Sequence, residues 1–330
     1  MSENELTDKY RRHLNYLRIS ITDRCNLRCI YCTPRELIPK LRHNAILRYE
    51  ELLRTVRIGA SLGITKVRVT GGEPLVRKGV CGFLAELSSI DQLTDISLTT
   101  NGILLEPHLE ELWTAGIRRV NISLDTLDRE KFEKITGVDA FDAVWNGIQG
   151  ALKAGFSPVK INTVALRGIN DDELAALAKL SLDYPLHVRF IEHMPIGRAV
   201  MEDRHPLLAP EIRERIRPLG ELVPIQNDTS DGPAERYRLD GALGEIGLIR
   251  PLSHHFCSRC NRLRLTASGM LRPCLLSDRE EDLRTPLRKG LLDDDLKAVF
   301  LRAVRDKPRC HTLAEKDPVD VCAQMCAIGG

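Results

Sequence analysis

No run of 18 or more apolar residues occurs in these 330 residues, so no membrane-spanning helix is expected. The opening sixteen residues are polar and charged and lack the apolar segment of a secretory signal, which makes the cytoplasm the expected compartment. The phosphate-cradling pattern G-x4-G-K-[ST] is missing; Gly71-Gly72-Glu73 has glycines but no Lys-Ser or Lys-Thr after them. No HExxH and no Ser-His-Asp arrangement stands out among the nine histidines. Low-complexity tracts and fixed-period repeats are lacking as well. A net charge of +2 offers no broad basic surface, so nucleic acid is not an expected partner.

What is plentiful is cysteine, with ten residues. In a chain without a signal peptide they point to metal or redox work rather than disulfides. They fall into two trios, Cys25, Cys29 and Cys32, then Cys257, Cys260 and Cys274. Cys81, Cys310, Cys322 and Cys326 stand outside them and receive no role.

The first trio has the spacing C-x3-C-x2-C and follows an alternating run, Leu17-Arg18-Ile19-Ser20-Ile21. Polar Thr22-Asp23-Arg24 before it and Pro34 after it fit core packing poorly. Thiolates are soft ligands for zinc, copper or iron–sulfur clusters. A structural zinc site wants four protein ligands. Three cysteines on a four-iron cubane leave one iron open to bind a small molecule. From Asp23 to Cys32 the motif resembles the signature of the radical S-adenosylmethionine (SAM) enzymes. That resemblance implies a cluster whose open iron binds the amino and carboxylate groups of SAM. One electron then cleaves the sulfonium to a 5′-deoxyadenosyl radical, with Tyr31 beside the adenine.

Between residues 17 and 192 short β-like runs (17–21, 66–70, 95–99, 119–123, 159–164 and 187–191) alternate with amphipathic stretches (49–62, 80–88, 106–115, 141–154 and 171–182). Asn170 followed by Glu173 reads as a capping box opening the last of these. Gly63, Gly116 and Gly155 follow helical runs where a left-handed residue is expected. The alternation predicts a parallel sheet with right-handed crossovers. A doubly wound sheet competes with an incomplete barrel. Polar groups recur at the carboxyl ends of five runs (Cys25, Gly71-Gly72-Glu73, Thr100-Asn101-Gly102, Ser123 with Asp125, and Glu192-His193-Met194), which favours a shared barrel mouth. The expected fold is therefore α/β, an incomplete (βα)6 TIM-like barrel with a C-terminal α+β cap domain. The expected division is 1–225 and 226–330, the second part carrying the second cysteine trio. Beyond residue 192, Pro195, Gly197, Pro206 and Pro210 break regularity, and 226–233 is polar and turn-rich. Helices are expected at 211–216, 283–289 and 294–303, and strands at 237–239, 247–249 and 262–265.

The second trio reads C-x2-C-x13-C. On spacing alone zinc is as good as an iron–sulfur cluster, because His254, His255 or His311 could complete a Cys3His site. Directly after Cys260, Arg262 and Arg264 alternate on one face of a strand. Paired guanidinium groups suit phosphate oxygens, and two solvent-facing arginines are the plainer alternative.

The two trios, Asn261-Arg262-Leu263-Arg264 and a terminal Gly329-Gly330 together resemble the GTP 3′,8-cyclases that begin molybdenum-cofactor biosynthesis. The similarity runs from about Leu17 to Gly330. It implies two [4Fe-4S] clusters, the second holding the guanine of GTP, with SAM as the other cofactor. It makes Cys25, Cys29, Cys32, Cys257, Cys260 and Cys274 cluster ligands. Tyr31, Gly72, Ser123 and Met194 become SAM contacts. Arg18, Lys66, Arg68, Thr99, Lys160, Arg189, Arg262 and Arg264 would hold GTP, with Arg262 and Arg264 also positioning it for catalysis. The glycine tail would reach into the active site. The implied reaction removes the hydrogen at C3′ of GTP, joins C3′ to C8 and gives 3′,8-cyclo-7,8-dihydro-GTP. Implied partners are a reductant protein such as flavodoxin or ferredoxin and, downstream, cyclic pyranopterin monophosphate synthase, with the chain a monomer or homodimer. Two other readings stand beside it: a radical SAM enzyme with an auxiliary cluster acting on peptide or RNA, and a non-enzymatic electron carrier or zinc-stapled module.

Overall fold

The six alternating runs form β1 (Tyr16–Ser20), β2 (Lys66–Thr70), β3 (Asp95–Thr100), β4 (Val120–Ser123), β5 (Val159–Ala165) and β6 (Leu186–Glu192). Their ladders are all parallel, in sequence order. The computed structural model describes residues 6–32, 39–196, 205–226, 232–311, 321 and 325–329. Pro34, Gly197, the turn-rich segment 227–231, Cys322, the side chain of Cys326 and Gly330 lie outside them.

Helices α1 (Tyr49–Ser61), α2 (Val80–Ser88), α3 (Leu105–Thr114), α4 (Arg129–Thr136), α5 (Phe141–Lys153) and α6 (Leu174–Asp183) fill the crossovers. Helix α4 was not expected from periodicity. It is short and charged, buries only Phe132, Ile135 and Thr136, and starts because the Asp128 carboxylate accepts the Lys131 N–H at 2.9 Å. Gly63, Gly116 and Gly155 take the expected left-handed φ.

Later come α7 (Ala209–Ile216), β7 (Val223–Ile225), β8 (Glu235–Arg238), β9 (Glu245–Ile249), β10 (Arg262–Leu265), β11 (Met270–Arg272), β12 (Glu281–Asp282), α8 (Arg284–Arg288), α9 (Asp293–Arg305) and α10 (Met325–Ile328). The strand order is β12-β11-β10-β1-β2-β3-β4-β5-β6-β9-β8-β7. Strand β9 adds parallel to β6, and β10 adds parallel to β1. The C-terminal part thus lengthens the six-stranded sheet at both edges, and an antiparallel hairpin ends each side. The order is linear, so the barrel stays open.

Alternation along each strand decides which face holds the core. In β1 and β2, Leu17, Ile19, Val67 and Val69 point to the helices and are wholly buried. Tyr16, Arg18, Lys66 and Arg68 point the other way, into a cavity of about 310 Å³. Residues of every strand from β10 through β1–β6 to β9 line that cavity, so the sheet must curve around it.

The expected Asn170–Glu173 capping box is not formed. Residue 173 is itself the N-cap and makes no side-chain cap bond. Its carboxylate instead accepts Thr126 Oγ1 and Leu127 N–H, and Asn170 donates to the carbonyls of Asp125 and Val164 while accepting Leu166 N–H. Both side chains tie the loop after β4 to the loop after β5, a tertiary demand that outweighs the local one. Asn170→Ala therefore strands several buried backbone groups and is expected to cost about 3 kcal/mol in urea unfolding. A lost helix cap would cost only about 1 kcal/mol.

Candidate active site

Cys25, Cys29 and Cys32 sit in the loop after β1, and its approach to the neighbouring loop is backbone against backbone. Gly72 N–H donates to Thr22 O at 2.7 Å, and Glu73 N–H donates to Arg24 O at 2.8 Å. A side chain on Gly72 would put Cβ 2.3 Å from Arg24 O, and one on Gly71 would put it 2.7 Å from Thr22 O. The close approach at Gly72 is thus to the cysteine loop itself. Glu73 is fully buried and holds the loop after β3, accepting Leu75 N–H, Thr100 Oγ1 and Asn101 N–H. Burial pushes its carboxyl up to about 7, against the pull of those bonds. Asn101 Nδ2 then reaches Asn26 Oδ1 at 2.7 Å and Cys25 Sγ at 3.7 Å, while Leu27 N–H points at the same sulfur at 3.4 Å. Tyr31 donates to Asp125 Oδ2 at 2.7 Å.

The second trio is held from three directions. Cys257 and Cys260 flank a short turn before β10, and Cys274 follows β11. Arg12, paired with Asp8 at 2.6 Å, donates to the carbonyls of Cys257, Pro308 and Arg309. Lys307 donates to Arg262 O at 2.8 Å and Pro273 O at 2.5 Å. Burial raises the Cys260 thiol, yet the charges of Lys307 and Arg262 bring it below its ordinary value. His254 Nδ1 is engaged by Glu235 at 3.1 Å, and His311 Nε2 donates to Pro251 O at 2.8 Å. Among the described residues no three Cys, His, Asp or Glu side chains close on one ion position. Three thiolates at each trio are soft donors of the kind that hold iron–sulfur clusters. The donor set fits a cluster at each trio.

All six cysteines line the same cavity. So do Arg18, Lys66, Arg68, Thr99, Lys160, Arg189, Arg262 and Arg264, together with Tyr31, Gly72, Ser123 and Met194. The register explains the crowding of charge: Arg18 pairs with Arg68 on one side and Arg264 on the other. One level below, Tyr16 faces Lys66 and Arg262. Lys66 Nζ and the guanidinium carbons of Arg68 and Arg262 lie 5.3, 5.6 and 5.7 Å from the Tyr16 ring centre. Arg119 brings the lining cations to eight. Asp95 pairs with Lys66 and Arg119 at 2.6 and 2.7 Å, while Asp125 and Glu192 are engaged by other donors. Among the described residues, positive charge is left in surplus. Burial first, then neighbouring guanidinium groups, depress Arg18 and push Arg189 to about 9 and Arg264 to about 10. A guanidinium does not give up its proton, so these shifts report a cavity that calls for an anion. Tyr16 Oη, Thr99 Oγ1, Asn162 Oδ1, Arg189 Nε and His193 Nε2 are buried without a hydrogen-bond partner among the described residues, as in a site built for a ligand.

The tail enters the same space. Gly329 is buried with φ +70°, its carbonyl accepting Arg264 Nη1 at 2.9 Å, and a Cβ there would sit 2.8 Å from Thr70 Cγ2.

The family model Radical SAM superfamily matches residues 19–181, and Molybdenum Cofactor Synthesis C matches residues 186–313. A GTP 3′,8-cyclase of Moorella thermoacetica is 50% identical over 306 residues, covering 93% of this chain and 95% of that protein. A GTP 3′,8-cyclase of Heliobacterium modesticaldum is 48% identical over 330 residues, covering 98% of this chain and all of the relative. The chain belongs to the GTP 3′,8-cyclase family of radical SAM enzymes. The fold is also that of Streptococcus suis SuiB bound to S-adenosylmethionine, with a TM-score of 0.64 at 16% identity over 90% of this chain and 69% of SuiB.

Against that family background, the residues missed from sequence are those acting through contacts. Asp8, Arg12, Tyr16, Arg119 and Lys307 carry no motif of their own, and Asn101, expected at the barrel mouth, was not expected to reach Cys25. No helix of the described residues is long and apolar enough to cross a membrane. Gly72→Ala, which must push back the Arg24 backbone, is expected to cost about 2 kcal/mol or more and to lower iron uptake at the first trio. Thermal unfolding and iron analysis of the anaerobic protein check both effects.

Proposed function

We propose that this chain converts GTP to 3′,8-cyclo-7,8-dihydro-GTP, the first step of molybdenum-cofactor biosynthesis. The observation that carries the reading is that both cysteine trios and eight cations line one cavity. Cys25, Cys29 and Cys32 would hold one [4Fe-4S] cluster, and Cys257, Cys260 and Cys274 the other. When bound, the first cluster and SAM supply a radical able to take a hydrogen from C3′ of the substrate.

The chain's own part is to bind, orient and exclude water. Gly72, Ser123, Met194 and Tyr31 line the SAM end. Arg18, Lys66, Arg68, Lys160, Arg189, Arg262 and Arg264, with Thr99 as a neutral donor, grip the triphosphate. Fork-shaped donors from three adjacent strands fix its oxygens without the magnesium-assisted geometry of hydrolytic sites. Holding C3′ against the radical source and C8 within reach of C3′ replaces a search through solution with one geometry. Arg262 and Arg264 act directly on that geometry, because Arg264 also anchors the Gly329 carbonyl.

Residues 1–225 would serve SAM cleavage and 226–330 the second cluster and tail. A flavodoxin or ferredoxin would supply electrons, and cyclic pyranopterin monophosphate synthase would take the product. The expected setting is the cytoplasm, as a monomer or homodimer, without nucleic acid or membrane contact.

Anaerobic incubation with GTP, SAM and a strong reductant, followed by mass analysis of the nucleotide, tests the reading. The cyclised product supports it, and recovery of unchanged GTP alongside SAM cleavage counts against it. Cys29→Ser is expected to abolish 5′-deoxyadenosine formation through loss of a cluster ligand. Arg264→Ala is expected to spare SAM cleavage without substrate while lowering cyclised product by about tenfold or more, the loss of a charge-assisted contact. Unchanged product yield would remove Arg264 from the site.

A further inference from the structure

Besides Arg264, which is buried near Cys260 and Cys274 but lines the substrate cavity, three buried cations surround the second trio, and two of them have carboxylates. Arg12 is paired with Asp8, and Arg272 with Asp278 and Glu280. Lys307 differs. It is 2% exposed, follows α9, donates to two backbone carbonyls and is hydrogen-bonded to the Cys260 thiol, with no carboxylate within ion-pair distance among the described residues. A fully buried ammonium without a negative partner is unfavourable by several kcal/mol, so such lysines are rare. The carbonyls it holds are not arbitrary. Arg262 lies two residues after Cys260, and Pro273 immediately precedes Cys274. One ammonium therefore clamps the chain beside two of the three sulfurs.

We propose that Lys307 is the internal counter-cation of the second iron–sulfur cluster, a positioning residue that fixes Cys260 and Cys274 and raises the reduction potential of the cluster they hold. The inference rests on the functional reading above, which puts a cluster at this trio. Thiolate ligands give a cubane net negative charge, and one-electron reduction adds another. A fixed positive charge next to the ligand sulfurs favours the reduced form, as charge and hydrogen bonding around such clusters generally do. Lys307 would also explain how a buried ammonium is tolerated here at all: its anion is the loaded site.

The test reads the second cluster alone, in the full-length chain with Cys25, Cys29 and Cys32 all replaced by Ala and reconstituted anaerobically. In this background Lys307→Gln keeps a donor but removes the charge, and Lys307→Arg keeps the charge. Iron analysis and a dithionite titration followed by electron paramagnetic resonance are the readouts. We expect the Gln variant to bind as much iron as its parent, with the reduced-to-oxidised ratio at a fixed potential lowered by about tenfold or more, a shift of about 59 mV for one electron. The Arg variant should stay within about threefold of the parent, a shift of about 28 mV at most by the same conversion. Equal potentials in parent and Gln variant, or equal shifts in Gln and Arg variants, overturn the proposal. Should the Gln variant take up no iron, uptake by the Arg variant supports a need for charge, and failure of both overturns it in favour of shape. A parent that assembles no four-iron cluster defeats the functional reading itself, an outcome separate from a loaded parent that ignores Lys307.

Discussion

Buried positive charge on the inner face of one curved sheet is the constraint on which this structure depends. Parallel register sets Arg18 between Arg68 and Arg264, so three guanidinium groups meet on adjacent strands about 4.8 Å apart. Like charges at that spacing repel, and burial removes the water that would screen them. Asp95 offsets two of the cations directly, Lys66 and Arg119. Such an arrangement is stable enough to fold because the opposite face of the same strands is continuous core, with Leu17, Ile19, Val67 and Val69 wholly buried. The outer face provides the folding energy and the inner face is left for binding a polyanion.

The two ends of the cavity are built by different means. At the first trio the precision is in the backbone: glycines at 71 and 72 let the loop after β2 lie against Thr22 and Arg24, and Glu73 locks that loop to the one after β3. Nothing larger than hydrogen fits, so the position of the cysteine loop is set by contact. At the second trio the precision is in long side chains that reach carbonyls. Arg12 arrives from the N-terminal segment and Lys307 from the end of α9. Loss of a single contact at the first end moves a backbone, whereas loss at the second removes a charge.

Much of this was legible in the sequence because it is local. Cysteine spacing, strand–helix alternation and the face on which Arg262 and Arg264 lie all follow from neighbours a few residues apart, and every strand expected before residue 192 was found within two residues of its place. The family resemblance extended that reach to Lys160 and Arg189, whose motif value is slight but which do line the cavity. What stayed hidden depends on contacts between distant segments. The pattern Asn170-x-x-Glu173 looks like a helix start, yet both side chains serve loops some forty residues away in sequence. Lys307 and Arg12 lie 33 and 245 residues from the cysteines whose loops they hold, by subtraction from Cys274 and Cys257, and no local pattern marks them.

Topology also explains why the second trio sits where it does. Strand β9 ends at Ile249 on one edge of the parallel sheet, and β10 begins at Arg262 on the other. The connection has only residues 250–261 with which to pass between those edges, at most about 3.5 Å per residue. A helix in that connection, rising about 1.5 Å per residue, would cover less than half that distance. The segment turns twice, over 251–254 and again at Cys257–Arg259, with Cys260 directly after the second turn. A chain that must pass between the open edges delivers its thiols to the cavity those edges enclose, opposite the loop after β1. Two cysteine trios lining one cavity thus follow from an unclosed barrel, because a closed one would need no such connection.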